Sequence, residues 1–211
     1  MKEKNKIYSS IEKYKKILIT GGNGFIGGNL IAKILKKTNC KVFNIDKMSY
    51  ASDDTIIQKS INEKNNNRYS FFKIDLIDAK SVDDAVKDIQ PNLVMHLAAE
   101  SHVDRSIDSP KVFIESNIIG TFNLLQSCLS YYKSELLINK DDFRFHHIST
   151  DEVFGSLGNS GTFSEDSAYD PRSPYSSSKA ASDHLVRAWD HTYKLPTLIT
   201  NCSNNYGPYQ F

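Results

Sequence analysis

The chain has 211 residues, with 26 Lys and Arg against 25 Asp and Glu, a formal net charge of +1. That balance excludes nucleic-acid or membrane-surface binding driven by bulk charge. A 39% hydrophobic and 11% aromatic content excludes wholesale disorder.

In chain order, Met1–Lys16 is Lys-rich, carries Glu3 and Glu12, and has no apolar core segment, so it is not a secretory signal. Residues 1–15 are expected to be a loose extension. A cleaved organellar leader is the alternative, and the lack of Arg speaks against it. Lys16–Thr20 reads as a buried strand and Phe25–Lys37 as a helix, with apolar residues at Phe25, Ile26, Leu30, Ile31, Ile34 and Leu35. Lys41–Asp46 and Tyr69–Ile74 read as further strands. The polar run Glu63–Asn67 reads as a surface loop, and Ser81–Ile89 as a helix capped by Ser81. Leu93–Ala98 is a fourth strand, Pro110–Tyr132 a long helix, Phe143–Ser149 a fifth strand, Pro174–Tyr193 a second long helix and Thr197–Thr200 a sixth strand.

Strands without polar alternation, separated by helices, predict an α/β fold: a doubly wound parallel sheet covered on both faces. Ligands of such sheets bind beyond the carboxyl ends of the strands. No apolar run approaches the roughly 18–20 residues of a membrane span. Cys40, Cys128 and Cys202 are odd in number and scattered, without disulfide or zinc spacing, so a reducing, cytoplasmic setting is expected. No histidine is at metal-ligand spacing, and His146 and His147 fall on opposite faces of one strand, so no metal is expected.

The loop after the first strand carries Gly21, Gly24 and Gly27 and opens a helix. This is the context in which glycines permit a tight turn, close approach of backbone to a pyrophosphate, and helix–strand packing. The helix N-terminus adds free N–H groups and partial positive charge. Asp46 ends the second strand, where a carboxylate can take the adenosine ribose hydroxyls and repel a 2′-phosphate, favouring NAD over NADP. The adjacent Lys47 can soften that preference. Asp75 either meets an adenine amino group or caps the element that follows.

Tyr175 and Lys179 lie four apart on one face of a predicted helix. A phenol of pKa near 10 is a poor base at neutral pH, and a neighbouring ammonium is expected to favour its phenolate. A surface aromatic–lysine pair is the plain alternative. Thr150 offers a hydroxyl to the same substrate oxygen. Asp151 and Glu152 follow Thr150 and can work as an acid and a base on one substrate only if the strand ends there. A turn acid or helix cap is the alternative for that pair.

The segment Gly21–Gly27, Asp46 and Tyr175-Ser-Ser-Ser-Lys179 resemble the extended short-chain dehydrogenase/reductases. Four longer stretches, Val94–Asp108, Phe143–Gly155, Ser173–Trp189 and Thr200–Phe211, are similar to the dTDP-glucose 4,6-dehydratases within that group. The resemblance runs from about Lys16 to the end of the chain. It implies a hydro-lyase that holds NAD and acts on a nucleotide-sugar, dTDP-glucose. Thr150, Asp151, Glu152, Tyr175 and Lys179 would be catalytic, with Asp151 the acid and Glu152 the base. Phe25, Ile26, Asp46, Lys47, Met48, Ser49, Asp75, Leu76, Leu97, Ala98, Ala99, Ser116 and Asn205 would line the cofactor. Ser101, Thr150 and Asn204 would meet the sugar nucleotide. Ser116 stands where the family usually has Thr, and Phe154 where it usually has Tyr.

The resemblance further implies a homodimer through helices 110–132 and 174–193, with Leu124, Leu125, Leu129, Leu185 and Trp189 as interface or sheet-facing positions. It implies that residues 16–211 are the NAD-binding, catalytic part of a longer chain whose substrate domain follows. The alternatives are a nucleotide-sugar 4-epimerase, a dehydratase of a UDP- or GDP-sugar, and a catalytically silent NAD-binding or dimerisation module.

Overall fold

The computed structural model describes residues 10–62, 65–134 and 139–210. Six parallel strands form one sheet: β1 (Lys16–Thr20), β2 (Lys41–Asp46), β3 (Tyr69–Lys73), β4 (Leu93–His96), β5 (Arg144–Thr150) and β6 (Thr197–Cys202). Their order is β3-β2-β1-β4-β5-β6. The strand order therefore reverses between β1 and β4, and a crevice opens at that switch point. Pairing of Thr20 with His96 and of His96 with His147 brings the carboxyl ends of β1 and β4 level, and β5 runs on past them to Thr150.

Ile17, Leu18 and Ile19 of β1 are all fully buried, because helices cover both faces of the sheet. One face packs against α1 (Phe25–Lys37), where Ile31, Ile34 and Leu35 meet Ile17, Ile19 and Val42. Ile11 and Tyr14 join that cluster, so the lead-in is anchored from Ile11 onward, against the expectation of a loose segment up to residue 15. Residues 1–9 lie outside the described residues. The short α2 (Thr55–Ser60) packs beside α1.

The other face carries α3 (Ala79–Ile89), α6 (Gly120–Lys133) and α7 (Pro174–Tyr193), whose apolar sides meet Leu18, Val94 and Phe145. Leu124, Leu125, Leu129 and Trp189 are buried in this core, and Leu185 packs against it. Leu124, Leu125, Leu129 and Trp189 are therefore core positions of the chain itself. Among the described residues no helix is long and apolar enough to cross a membrane.

Three expectations need correction. Helix α3 starts at Ala79, and its cap is Asp78, whose Oδ1 accepts from the Ser81 N–H at 3.1 Å; Ser81 is inside the helix. The expected helix 110–132 is α5 (Pro110–Phe113), a π-helical turn (Ile114–Ile119) and α6 in continuous succession, preceded by α4 (Val103–Asp108). In the Glu63–Asn67 run, Asn65 is buried, with its Nδ2 donating to the Ser60 carbonyl; Glu63 and Lys64 lie outside the described residues.

Candidate active site

A cleft of about 860 Å³ opens above the carboxyl ends of the strands, at the switch point. Its floor is the glycine turn. Gly21 has φ +72°, a conformation that favours glycine, and a Cβ there would lie 2.6 Å from the Ala98 nitrogen. The turn after β1 and the loop after β4 are thus in backbone contact. Gly24 stands at the cap of α1, whose first turn has no acidic residue and no side-chain cap. Its N–H groups remain available to an anion. Gly21, Gly24, Phe25, Ile26 and Gly27 all line the cleft.

Asp46 is held at the end of β2. Its Oδ2 accepts from the Asn23 N–H at 3.0 Å, and its Oδ1 accepts from the Met48 N–H at 2.8 Å and the Ser52 hydroxyl at 3.1 Å. About four acceptor sites belong to a carboxylate, so little capacity remains and a ribose meets an oriented acid. Lys47, Ser49, Asp75 and Leu76 line the same end; Met48 does not, although its backbone fixes Asp46. Asp75 is not the helix cap, which is Asp78; its Oδ1 accepts from the Ile77 N–H at 3.1 Å. Leu97, Ala98, Ala99, Ser101 and Ser116 form one wall, and Asn204 and Asn205 close the mouth after β6.

The reactive residues stand at the opposite end. Helix α7 begins where Ser173 accepts from the Ser176 N–H at 3.0 Å, Ser176 Oγ accepts from the Ser173 N–H at 3.0 Å, and Pro174 takes the first turn. This cap places Tyr175 at the helix start and Lys179 one turn on. Both are buried, at 8% and 4% exposure, so they are not a surface pair. The Lys179 ammonium donates to the Ile148 carbonyl at 2.9 Å. Burial pulls its pKa down to about 8, against the opposing pull of Asp183 and Cys202. The Tyr175 phenol is pushed up to about 12, chiefly by burial and the Glu152 carboxylate, with the Thr150 hydroxyl acting the other way. The expected phenolate bias from Lys179 is therefore not present in the protein alone. Desolvation of the phenol and the nearby carboxylates set that direction.

Strand β5 ends at Thr150, and Asp151–Phe154 form a 3₁₀ turn. Thr150 caps that turn, its Oγ1 accepting from the Glu152 N–H at 3.2 Å. The end of the strand frees the two acids from opposite faces. Thr150 and Glu152 line the cleft with Tyr175 and Lys179, while Asp151 does not and is only half-buried beside Thr150. Burial and the adjacent Asp151 push the Glu152 pKa up. A raised pKa makes the Glu152 carboxylate a stronger base.

The sequence reading missed the network beneath these residues. Asp183 is fully buried and accepts from the Ser149 hydroxyl at 2.8 Å and the Tyr169 hydroxyl at 2.8 Å. His147 Nε2 lies 3.1 Å from its other oxygen, and burial keeps that imidazole neutral, with its pKa down to about 4. Asn117, buried in the π-helical turn, donates to the Glu100 carbonyl at 3.0 Å and to Ser178 Oγ at 2.8 Å, tying the loop after β4 to α7. The only sequence signal for Asp183 is its position one turn after Lys179. Among the described residues no group of three His, Cys, Asp or Glu is placed to hold a metal ion.

Residues 18–211 match the family model described as GDP-mannose 4,6 dehydratase. The chain belongs to this family. It is 51% identical over 198 residues to the dTDP-glucose 4,6-dehydratase of Neisseria meningitidis serogroup B, covering 93% of this chain and 55% of that one. The dTDP-glucose 4,6-dehydratase of Streptomyces venezuelae, solved with NAD bound, superposes with a TM-score of 0.80 at 38% identity over 92% of this chain and 57% of that one. The UDP-glucose 4-epimerase of Thermus thermophilus, solved with NAD, gives 0.78 at 27% identity, over 92% and 57%. The fold is that of the extended short-chain dehydrogenase/reductases, dehydratases and epimerases alike. The chain spans little more than half the length of the curated relatives it matches.

Proposed function

We propose that this chain is the cofactor-binding and catalytic part of an NAD-dependent nucleotide-sugar 4,6-dehydratase that converts dTDP-glucose to its 4-keto-6-deoxy product. The carrying observation is the 3₁₀ turn at Asp151–Phe154, which sets two carboxyls directly after Thr150, with Glu152 in the cleft that also holds Tyr175 and the glycine turn and Asp151 half-buried beside Thr150. An epimerase that transfers hydride and proton at one carbon has no use for such a pair. Removal of a hydroxyl and a neighbouring proton requires both an acid and a base.

The residues present fit NAD. The turn at Gly21 leaves no room for a side chain, the first turn of α1 presents unpaired N–H groups, and Asp46 offers an anchored carboxylate that disfavours a 2′-phosphate. NAD bound there would supply the hydride acceptor at C4, the hydride later given to C6, and a positive charge beside Tyr175.

Tyr175 takes the proton of the sugar 4-hydroxyl, and Thr150 holds that oxygen through its own hydroxyl. Lys179, fixed on the Ile148 carbonyl, supplies positive charge next to the phenol. Once C4 is a ketone, C5–H is acidic. By resemblance Glu152 removes that proton and Asp151 donates to the departing C6 hydroxyl. Single-site variants of the two carboxyls test this division of labour.

Ser101 and Asn204 are proposed to meet the sugar nucleotide, and the remaining cleft residues the cofactor. The dimer is proposed through the helices at 110–133 and 174–193. The exposed Ile114, Ile119 and Phe122 are the candidate contacts, in place of the buried leucines.

The shared fold with 4-epimerases favours epimerisation as the second reading. Incubation of the full-length protein with dTDP-, UDP- and GDP-glucose separates the two. A dehydratase yields a product lighter by one water from the preferred nucleotide; an epimerase yields an isomer of unchanged mass.

A further inference from the structure

Lys47 follows Asp46 at the end of β2, where a cofactor 2′-phosphate would arrive. A free lysine there would recruit that phosphate and weaken the discrimination made by Asp46. In the structure it is not free. Its ammonium donates to Glu100 Oε1 at 2.8 Å and to Ser116 Oγ at 2.9 Å. The Glu100 side chain is 7% exposed and that of Lys47 29%, so water screens this pair poorly.

Glu100 is itself fixed from behind. Its N–H donates to Asn117 Oδ1 at 2.8 Å, its carbonyl accepts from Asn117 Nδ2 at 3.0 Å, and Asn117 also donates to Ser178 on α7. The π-helical turn at Ile114–Ile119 carries both Ser116 and Asn117. An added residue in a helical turn re-aims side chains, and such turns recur at functional sites. Here the turn supplies one partner of Lys47 directly and positions the other.

We propose that Glu100 is a specificity-determining residue that holds Lys47 against Ser116 and so withholds it from a 2′-phosphate. This rests on the reading of the cleft as an NAD site. Asp46 repels the phosphate, and the Glu100–Lys47 pair removes an adjacent cation that would counter that repulsion. Breaking the pair from the Glu100 side releases the ammonium toward the ribose end of the cleft.

The test is equilibrium binding of NADH and NADPH to the 211-residue chain and to its E100Q and E100Q/K47M variants. The parent chain is expected to bind NADH and to bind NADPH at least about a hundredfold more weakly. E100Q is expected to tighten NADPH about tenfold while NADH stays within about threefold, and E100Q/K47M to return NADPH to the parent value. No gain in E100Q, or a gain that survives K47M, overturns the proposal. Failure of the parent chain to bind either dinucleotide instead overturns the NAD reading beneath it.

A second measurement stands if E100Q does not fold. In the unvaried chain without dinucleotide, acylation of Lys47, read by peptide mass spectrometry, should be at least about tenfold slower than that of the exposed Lys36. Equal rates contradict the capture of Lys47.

Discussion

Ser149 Oγ donates to Asp183 Oδ2 at 2.8 Å, joining the end of β5 to the middle of α7 beneath the reactive residues. Tyr169 donates to the same oxygen, so one fully buried carboxylate holds the strand end, the helix and the loop between them. Replacing Asp183 by Leu leaves two hydroxyls and the adjoining His147 imidazole without their partner. The expected loss of stability is about 3–5 kcal/mol, against about 1–3 kcal/mol for Asp183→Asn, which keeps an acceptor. Urea denaturation of the two variants measures both. A change below about 0.5 kcal/mol in each, the range of an ordinary surface substitution, would show that Asp183 is not structural.

The pH dependence of stability should carry a mark of Lys179. Its folded pKa, about 8, lies below its ordinary 10.5. Between those values the unfolded chain binds more protons, so stability rises with pH in that window and the burial penalty is full only below about 8. The contribution is roughly 3 kcal/mol across the window. Lys179→Met should flatten the rise, and Asp183→Asn, by removing a counter-charge, should start it at lower pH. Denaturation midpoints at several pH values between 7 and about 10.5, the ordinary lysine value, check this; an identical slope in Lys179→Met contradicts it.

The paired carboxyls should separate the steps. In the full-length protein, Tyr175→Phe is expected to suppress C4 oxidation as well as product. Asp151→Asn and Glu152→Gln should each lower product formation by about 10²–10⁴-fold, yet still show the absorbance of reduced nicotinamide on adding substrate. Because Asp151 pushes the Glu152 pKa up, Asp151→Asn should also move the titration of Glu152, followed by NMR, to lower pH. No movement would show that the two carboxyls do not share a field.

Most of the architecture is legible in the sequence, because strands buried on both faces are continuous apolar runs. Lys16–Thr20, Lys41–Asp46 and the Pro174–Tyr193 helix fall where their patterns place them. The glycine turn is equally legible, since close approach to Ala98 admits no side chain at Gly21. What escapes is whatever depends on partners far along the chain. The π-helical turn has the apolar pattern of an ordinary helix, and its role comes from contacts with Glu100, Ser178 and Ser182. Asp183 and Glu100 belong to no motif in the sequence, and only the fold buries them. The raised pKa of Tyr175 follows from burial and Glu152, which helix spacing to Lys179 does not reveal.

The glycine turn offers a direct test of the cofactor end. A Cβ at Gly21 would sit 2.6 Å from backbone at a φ of +72°, and one at Gly27 would sit 2.2 Å from the Gly21 carbonyl oxygen. Gly21→Ala and Gly27→Ala should each destabilise the chain by about 1–3 kcal/mol and abolish measurable NAD binding. Gly158→Ala, which meets nothing within 4 Å, is the control and should leave binding unchanged. Wild-type binding in Gly21→Ala would contradict the assignment of the turn.

The central claim is that one cleft oxidises C4, removes water across C5 and C6, and returns the same hydride to C6. Turnover of dTDP-glucose deuterated at C4 by the full-length protein, followed by NMR and mass spectrometry of the product, tests it most directly. The account predicts a 4-keto-6-deoxy sugar with the C4 deuterium at C6 and, in heavy water, a solvent deuteron at C5. A product of unchanged mass with the label still at C4 would contradict it and make the protein an epimerase.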